Sequence, residues 1–214
     1  MFDRNSKSNG KLPSIAIRGI APFPHTDVRT EVGRSLSKAA LLDAERNYDN
    51  HVIILVQKDP MIEKPVESDF LRYGIVAKIG IKIKLPNGNF KVKFDPIMRA
   101  EVLGFEQEDP YFLTNFETRP ALKGDLEQEI ALMRMINKQV EENIQLVFNN
   151  PKQSLEALQS DGDTDKVLDI LASNLKIAEK AKYKYIETSS IEQRLNYLLQ
   201  DIEKERHMNE IEDK

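Results

Sequence analysis

From Tyr73 to Phe105 apolar and polar residues alternate, and the Asn87-Gly88 dipeptide divides the run in two. That pattern predicts a β-hairpin, because Asn-Gly supplies the two positive-φ positions of a type I′ turn. With those two residues as the turn, Leu85 is expected opposite Phe90, Ile83 opposite Val92 and Ile81 opposite Phe94, one apolar face of period two. The other face would be basic, with Lys84 opposite Lys91 and Lys82 opposite Lys93. Pro86 cannot donate to the ladder, so the pairing next to the turn is expected to be frayed or the loop wider by one pair.

Taken in order, residues 1–11 are polar and rich in Gly, Ser and Asn, which predicts a disordered N-terminus. Leu12, Ile15 and Ile17 read as a first strand, Phe23 sits between Pro22 and Pro24 in an extended loop, and Val28 to Val32 alternate weakly. Leu36, Ala39, Ala40 and Ala44 recur at helical spacing from Ser35, and His51 to Val56 is a continuous apolar run suited to a buried strand. Residues 57–69, with two prolines and several acids, predict a surface loop. Arg99 to Phe105 and Tyr111 to Arg119 are further strand candidates. The expected first domain, residues 12–120, is thus a small twisted six-stranded sheet or pseudo-barrel with one helix.

At Pro120 to Gly124 the period changes from two to 3.6, the mark of a boundary between layers or domains. Beyond Asp125, Leu126, Ile130, Met133, Val140, Ile144 and Val147 form one stripe of a helix of about 24 residues, roughly 36 Å long. Pro151 suits the first turn of a short helix, Thr164 the cap of another, and residues 178–187 a third. Ser190-Ile191-Glu192-Gln193 is a capping box ahead of Leu195, Leu198 and Ile202. Residues 121–214 therefore read as a helical domain ending in a long helix, and the class as α+β. After Ile202 apolar residues are few, so the last turns are expected to fray or to continue towards something else.

Composition narrows the chemistry. The chain has 214 residues, 40% of them hydrophobic, enough to bury a core. It has no cysteine, which excludes disulfides and thiolate metal sites. No run of 18 apolar residues predicts a membrane span, and the N-terminus lacks the apolar centre of a signal peptide. The net charge of −4 is uneven: residues 72–99 hold seven basic side chains against Asp95 alone, net +6, leaving −10 for the remainder. The nine glycines, at 10, 19, 33, 74, 80, 88, 104, 124 and 162, permit neither GxGxxG nor GxxxxGK[ST]. His25, His51 and His207 have no metal-ligand spacing, and GxSxG is absent, so no catalytic, cofactor-binding or metal-binding residue is assigned. The basic hairpin face lacks aromatics for stacking bases. Three readings of it stay open: a solvated or edge-protecting surface, contact with an acidic protein, and nucleic-acid binding.

Several blocks resemble the N-terminal domain of Lon-family ATP-dependent proteases. They are LPSIAIRGIAPFPHTDVRTEVGRSLSKAAL, VIILVQKDPMIEKPVESDFLRYGIVAKI, the hairpin IKLPNGNFKVKFDPIMRAEV, and IEQRLNYLLQ in the last helix. They follow one another in the family's order. The resemblance implies a six-stranded β subdomain joined to a helical one, in a cytoplasmic homohexamer, that recognises unfolded or misfolded substrates and delivers them. It places ATP, Mg and the Ser-Lys dyad in later modules, so this chain alone is expected neither to hydrolyse ATP nor to cut protein. The alternative is a stand-alone β-domain binding protein, ligand or nucleic acid. A substrate-recruiting module needs exposed apolar surface. The apolar residues left over in loops are Phe23, Met61, Ile62, Ile97 and Met98, the candidate substrate contacts.

Overall fold

Eighteen residues, Phe90–Gln107, form one uninterrupted strand, β5, which organises the first of two units, residues 1–120 and 121–214, in the computed structural model. The structure describes residues 2–212. Around β5 stand β1 (Asn9–Ile17), β2 (Val28–Val32), β3 (His51–Val56), β4 (Tyr73–Lys84) and β6 (Leu113–Thr118), with α1 (Ser35–Asn47) between β2 and β3. The sheet order is β2-β5-β4-β3-β1-β6, and β6 pairs again with the far half of β5. The ring β5-β4-β3-β1-β6 is therefore closed, while β2 flanks β5 at its near half. Only β1 and β3 run parallel, because α1 and β2 occupy the crossover between them.

Val52 to Val56 are all fully buried, as a continuous apolar run demands of a strand covered on both faces. Leu12, Ile53, Leu55, Phe70, Val76, Met98, Ala100, Phe112 and Phe116 form one core cluster. Helix α1 contributes Ala40, Leu41 and Ala44.

Five expectations are corrected by the structure. The N-terminal residues do not all stay disordered: β1 starts at Asn9, and Asn9 to Lys11 pair with Glu117 to Asn115. Ser8 exchanges hydrogen bonds with Thr118, and the Phe2 ring packs 5.8 Å from that of Phe116. A polar composition loses to a strand edge that offers backbone partners. Gly10 is required in this pairing, since a Cβ there would lie 2.7 Å from the Phe116 ring.

The hairpin register differs by one residue from the expected one. Leu85 N–H donates to Asn89 O at 2.8 Å, and Gly88 N–H to Leu85 O at 3.0 Å, so Pro86, Asn87 and Gly88 make a three-residue loop. Only Gly88 has positive φ, +85°. Pro86 fits the second position of a type I turn, which wants φ near −65°, and Gly88 supplies the left-handed residue that closes it. An odd loop slips the pairing by one, which turns each side chain to the other face. Lys84 thus lies opposite Phe90, Lys82 opposite Val92, Ile83 opposite Lys91 and Ile81 opposite Lys93. No lysine faces a lysine. A bulge at Gly80 then restores Ile79 to the core opposite Phe94.

The segments 90–94 and 99–105 are parts of one strand. Ala77 pairs with Pro96 and Val76 with Met98, so Ile97 is the extra residue of a bulge, where proline is tolerated.

The second unit holds α2 (Leu126–Val147), α3 (Pro151–Gln159), α4 (Thr164–Asn174), α5 (Tyr183–Ile186) and α6 (Ile191–Glu212). Asp125 caps α2 by accepting from Gln128 N–H at 2.9 Å, and Ser190 caps α6 through Gln193 N–H at 3.2 Å. Asp163, not Thr164, precedes α4. The α2 stripe is corrected in its first half. Ile136, Val140 and Val147 are buried, but Leu126 is 68% exposed and Ile130 is also exposed. Glu129 takes the inward position there and accepts the Gly124 N–H at 2.6 Å.

Candidate substrate-contact surface

The five candidate contacts do not assemble into one patch. Phe23 is fully buried and Met98 is 5% exposed, so both belong to the core. Prolines around Phe23 give an extended backbone but do not decide which way its ring turns, and Met98 falls on the inward side of β5 beyond the Ile97 bulge. Ile97 is half-buried against the core cluster and borders a shallow cavity with Phe2, His51 and Lys78. Ile62 is half-buried, its carbonyl held by Gln57 Nε2 at 3.0 Å. Met61 alone projects fully, at 82% exposure.

Apolar surface appears instead where the hairpin slipped. Ile81 and Ile83 are 56% and 55% exposed on the face they share with Lys91 and Lys93. Turn chemistry at Pro86 was the signal for it. In the helical unit, Leu122, Leu126 and Ile130 are exposed at four-residue spacing.

The β unit carries a cleft of about 390 Å³ between Ile15 to Arg18 at the end of β1 and Thr30 to Arg34 at the end of β2. A second cleft of about 480 Å³ adjoins it, sharing Ala16, Gly33, Arg34 and Ser37 and adding Leu36, Lys64, Pro65 and Phe112. Arg34 stands at the α1 N-terminus, and its Nη2 donates to Ala16 O at 3.3 Å. Burial, and secondarily the nearby Arg18 charge, pull the Arg34 pKa below its ordinary value. Glu31 borders the same cleft but is engaged by the Nδ2 groups of Asn89, at 2.7 Å, and Asn87, at 3.4 Å. Those hydrogen bonds, Asn89 first, lower its pKa. The first cleft thus sets Arg18 and Arg34 beside an engaged Glu31, and the second sets Leu36, Pro65 and Phe112 beside the charged pair of neighbours Glu63 and Lys64.

A closed small β ring followed in the chain by a five-helix unit defines a mixed α+β fold. Two solved structures share it: the N-terminal domain of a Mycobacterium avium complex Lon protease, with a TM-score of 0.70, 16% identity and 91% of this chain against 98% of that one, and a Lon N-terminal domain protein from Xanthomonas campestris, at 0.57, 13%, 89% and 97%. Residues 11–204 match the family model described as the ATP-dependent protease La (LON) substrate-binding domain, and the chain belongs to that family. It is 35% identical over 194 residues to a Lon protease of Aster yellows witches'-broom phytoplasma, covering 90% of this chain and 24% of that protein. To a Lon protease of Halothermothrix orenii it is 32% identical over 213 residues, covering 99% and 27%. The chain spans about a quarter of the length of these relatives. The sequence resemblance to the Lon N-terminal domain is borne out. Among the described residues no helix is long and apolar enough to cross a membrane.

Proposed function

We infer that this chain recognises and holds unfolded or misfolded protein segments for an ATP-dependent serine protease. The match of residues 11–204 to a substrate-binding domain carries the reading. In it, ATP and Mg act in modules outside this chain, the parent assembles as a hexamer in the cytoplasm, and this domain supplies contact rather than chemistry. Exposed Met61, Ile81 and Ile83 and the paired clefts offer the kind of apolar and backbone contact an unfolded chain can use. The test is an NMR titration of the 15N-labelled chain with a reduced, carboxymethylated small protein. Saturable shifts with a Kd on the order of micromolar or weaker are expected. The native form of the same small protein should leave the spectrum unchanged, and equal shifts with both forms would refute the reading.

A further inference from the structure

The five-strand ring is closed through β6, but β6 pairs with β1 only as far as Pro13, which leaves one edge of β1 from Ser14 to Ile17 without a strand partner. Ile17 O accepts from Gln57 N–H at 3.0 Å, so Ile15 and Ile17 direct their backbone groups at β3, and those of Ser14 and Ala16 point the opposite way. Ser14 N–H reaches Phe112 O at 2.9 Å, the last contact with the β6 side, whose strand pairing ends at Pro13. Beyond it the Ala16 carbonyl is met by a side chain, that of Arg34. Strand β2 is paired along one edge only, to β5. These two unpaired edges face each other across the 390 Å³ cleft.

We propose that an extended segment of unfolded polypeptide, with an acidic residue next to a large apolar one, enters this cleft and adds a strand to the open edge at Ala16. The proposal rests on the substrate-binding reading above and names the site of it. Edge addition suits unfolded chains, since a folded protein has already paired the backbone groups such contact uses. The acidic preference follows from charge. Arg18 and Arg34 both line the cleft, and each donates to a backbone carbonyl, Pro60 O at 3.3 Å and Ala16 O at 3.3 Å respectively. Neither has a carboxylate partner among the described residues, and Glu31 is held by the two asparagines. Arg34 is half-buried with the exposed Arg18 charge beside it, and an anion between them relieves that repulsion. The apolar residue is taken by the adjoining cleft, walled by Ala16, Leu36, Pro65 and Phe112. Sequence tolerance comes from the main-chain bonds, and bias from the arginines.

The probe is a short synthetic peptide of alternating valine and threonine that carries one leucine-aspartate pair, with its C-terminus amidated and a fluorophore at its N-terminus. Anisotropy with the unaltered 214-residue chain is expected to give a Kd of about 10–100 μM, with NMR shifts at Ala16, Thr30 and Gly33. The same peptide with alternate backbone nitrogens methylated should bind about tenfold more weakly, and an Asp-to-Asn version several-fold more weakly. An Arg18→Gln, Arg34→Gln double variant should likewise lose about tenfold, with folding checked by its melt. Equal binding of the methylated peptide, which needs no variant, would overturn the edge. Shifts confined to Ile81 and Ile83, or to Leu126 and Ile130, would move the site elsewhere and overturn the cleft. Binding that requires a free terminal carboxylate and ignores the aspartate would replace the internal acidic segment by a chain end, which also overturns it. If the carboxymethylated protein binds and the double variant binds it equally well, the cleft falls while the substrate-binding reading stands. If neither probe binds, both fall.

Discussion

Arg194 on α6 donates to Asp169 on α4 at 3.2 Å, with both side chains 1% exposed. Its other terminal nitrogen reaches Asp165 at 2.6 Å and Ser189 O at 3.3 Å. A guanidinium brings two carboxylates and a carbonyl together and ties α6 to α4, a fork geometry an ammonium cannot copy. Replacing the pair by apolar groups could be neutral, but removing one partner leaves uncompensated charge inside. Arg194→Met is expected to cost about 3–5 kcal/mol in urea unfolding, with Arg194→Lys recovering only part. Loss below about 1 kcal/mol would mean the pair is not closed in solution.

The burial of Phe23 and Met98 reverses what their loop-like sequence settings suggest. Phe23→Ser and Met98→Ser should each destabilise by about 3 kcal/mol or more, because a cavity and an unpaired hydroxyl are both created. Met61→Ser should stay within about 0.5 kcal/mol. Thermal melts of the three variants check this ordering, and unfolded-protein binding by Met61→Ser is informative where the other two are not.

Strand and helix positions were legible because period carries them: β3 from an unbroken apolar run, α2 and α6 from stripes and caps. What period could not give was register. Asn87-Gly88 predicts a two-residue turn, yet Pro86 one position earlier favours a type I turn with one more loop residue, and that single residue decides which isoleucines are buried. Ile97 looked like a loop residue because a bulge interrupts alternation just as a loop does. The cleft was invisible for a different reason. It lies where β1 and β2, separated by an extended proline-rich segment, fail to pair, and a missing strand contact leaves no mark on either segment.

That register can be tested directly. Ile81→Thr and Ile83→Thr should change stability by less than about 0.5 kcal/mol, and Thr suits an exposed strand. Ile79→Thr, beyond the Gly80 bulge and buried, should cost about 2–3 kcal/mol. A large loss at Ile83 and none at Ile79 would restore the register expected from Asn-Gly.

In α6, Ile202 is the last buried apolar residue, and the helix continues to Glu212 through residues that are mostly exposed. The turns after it are held by pairs such as Arg206–Glu210 at 3.8 Å, worth a few tenths of a kcal/mol. Amides from about Lys204 onward should therefore exchange within seconds to minutes at neutral pH while that of Leu198 is protected, as expected for a helix end without packing. Protection of residues 205–212 equal to that of Leu198 in dilute monomer would show that something covers the tail.

The last expectation concerns acid. Glu101, buried on β5, accepts hydrogen bonds from Arg119 and from Arg72 Nε at 2.8 Å, and Arg119 also holds Glu117. Burial by itself raises the Glu101 pKa, but the hydrogen bonds and charges of Arg119 and Arg72 together outweigh it, so the carboxyl titrates below its ordinary 4.5. A depressed carboxyl pKa means the unfolded chain binds the proton more readily than the folded one. The stabilisation is then fully present above pH 4.5 and is lost as pH falls through the lower folded value. Glu101→Gln should cost about 1–3 kcal/mol at pH 7, since it weakens charge-assisted bonds to two arginines. The gap in melting temperature between parent and variant should close as pH is lowered below 4.5, because the parent alone loses the benefit. Melts over a pH series decide it: a gap that stays constant down to strongly acid pH would show that the carboxylate charge at Glu101 contributes nothing to the fold.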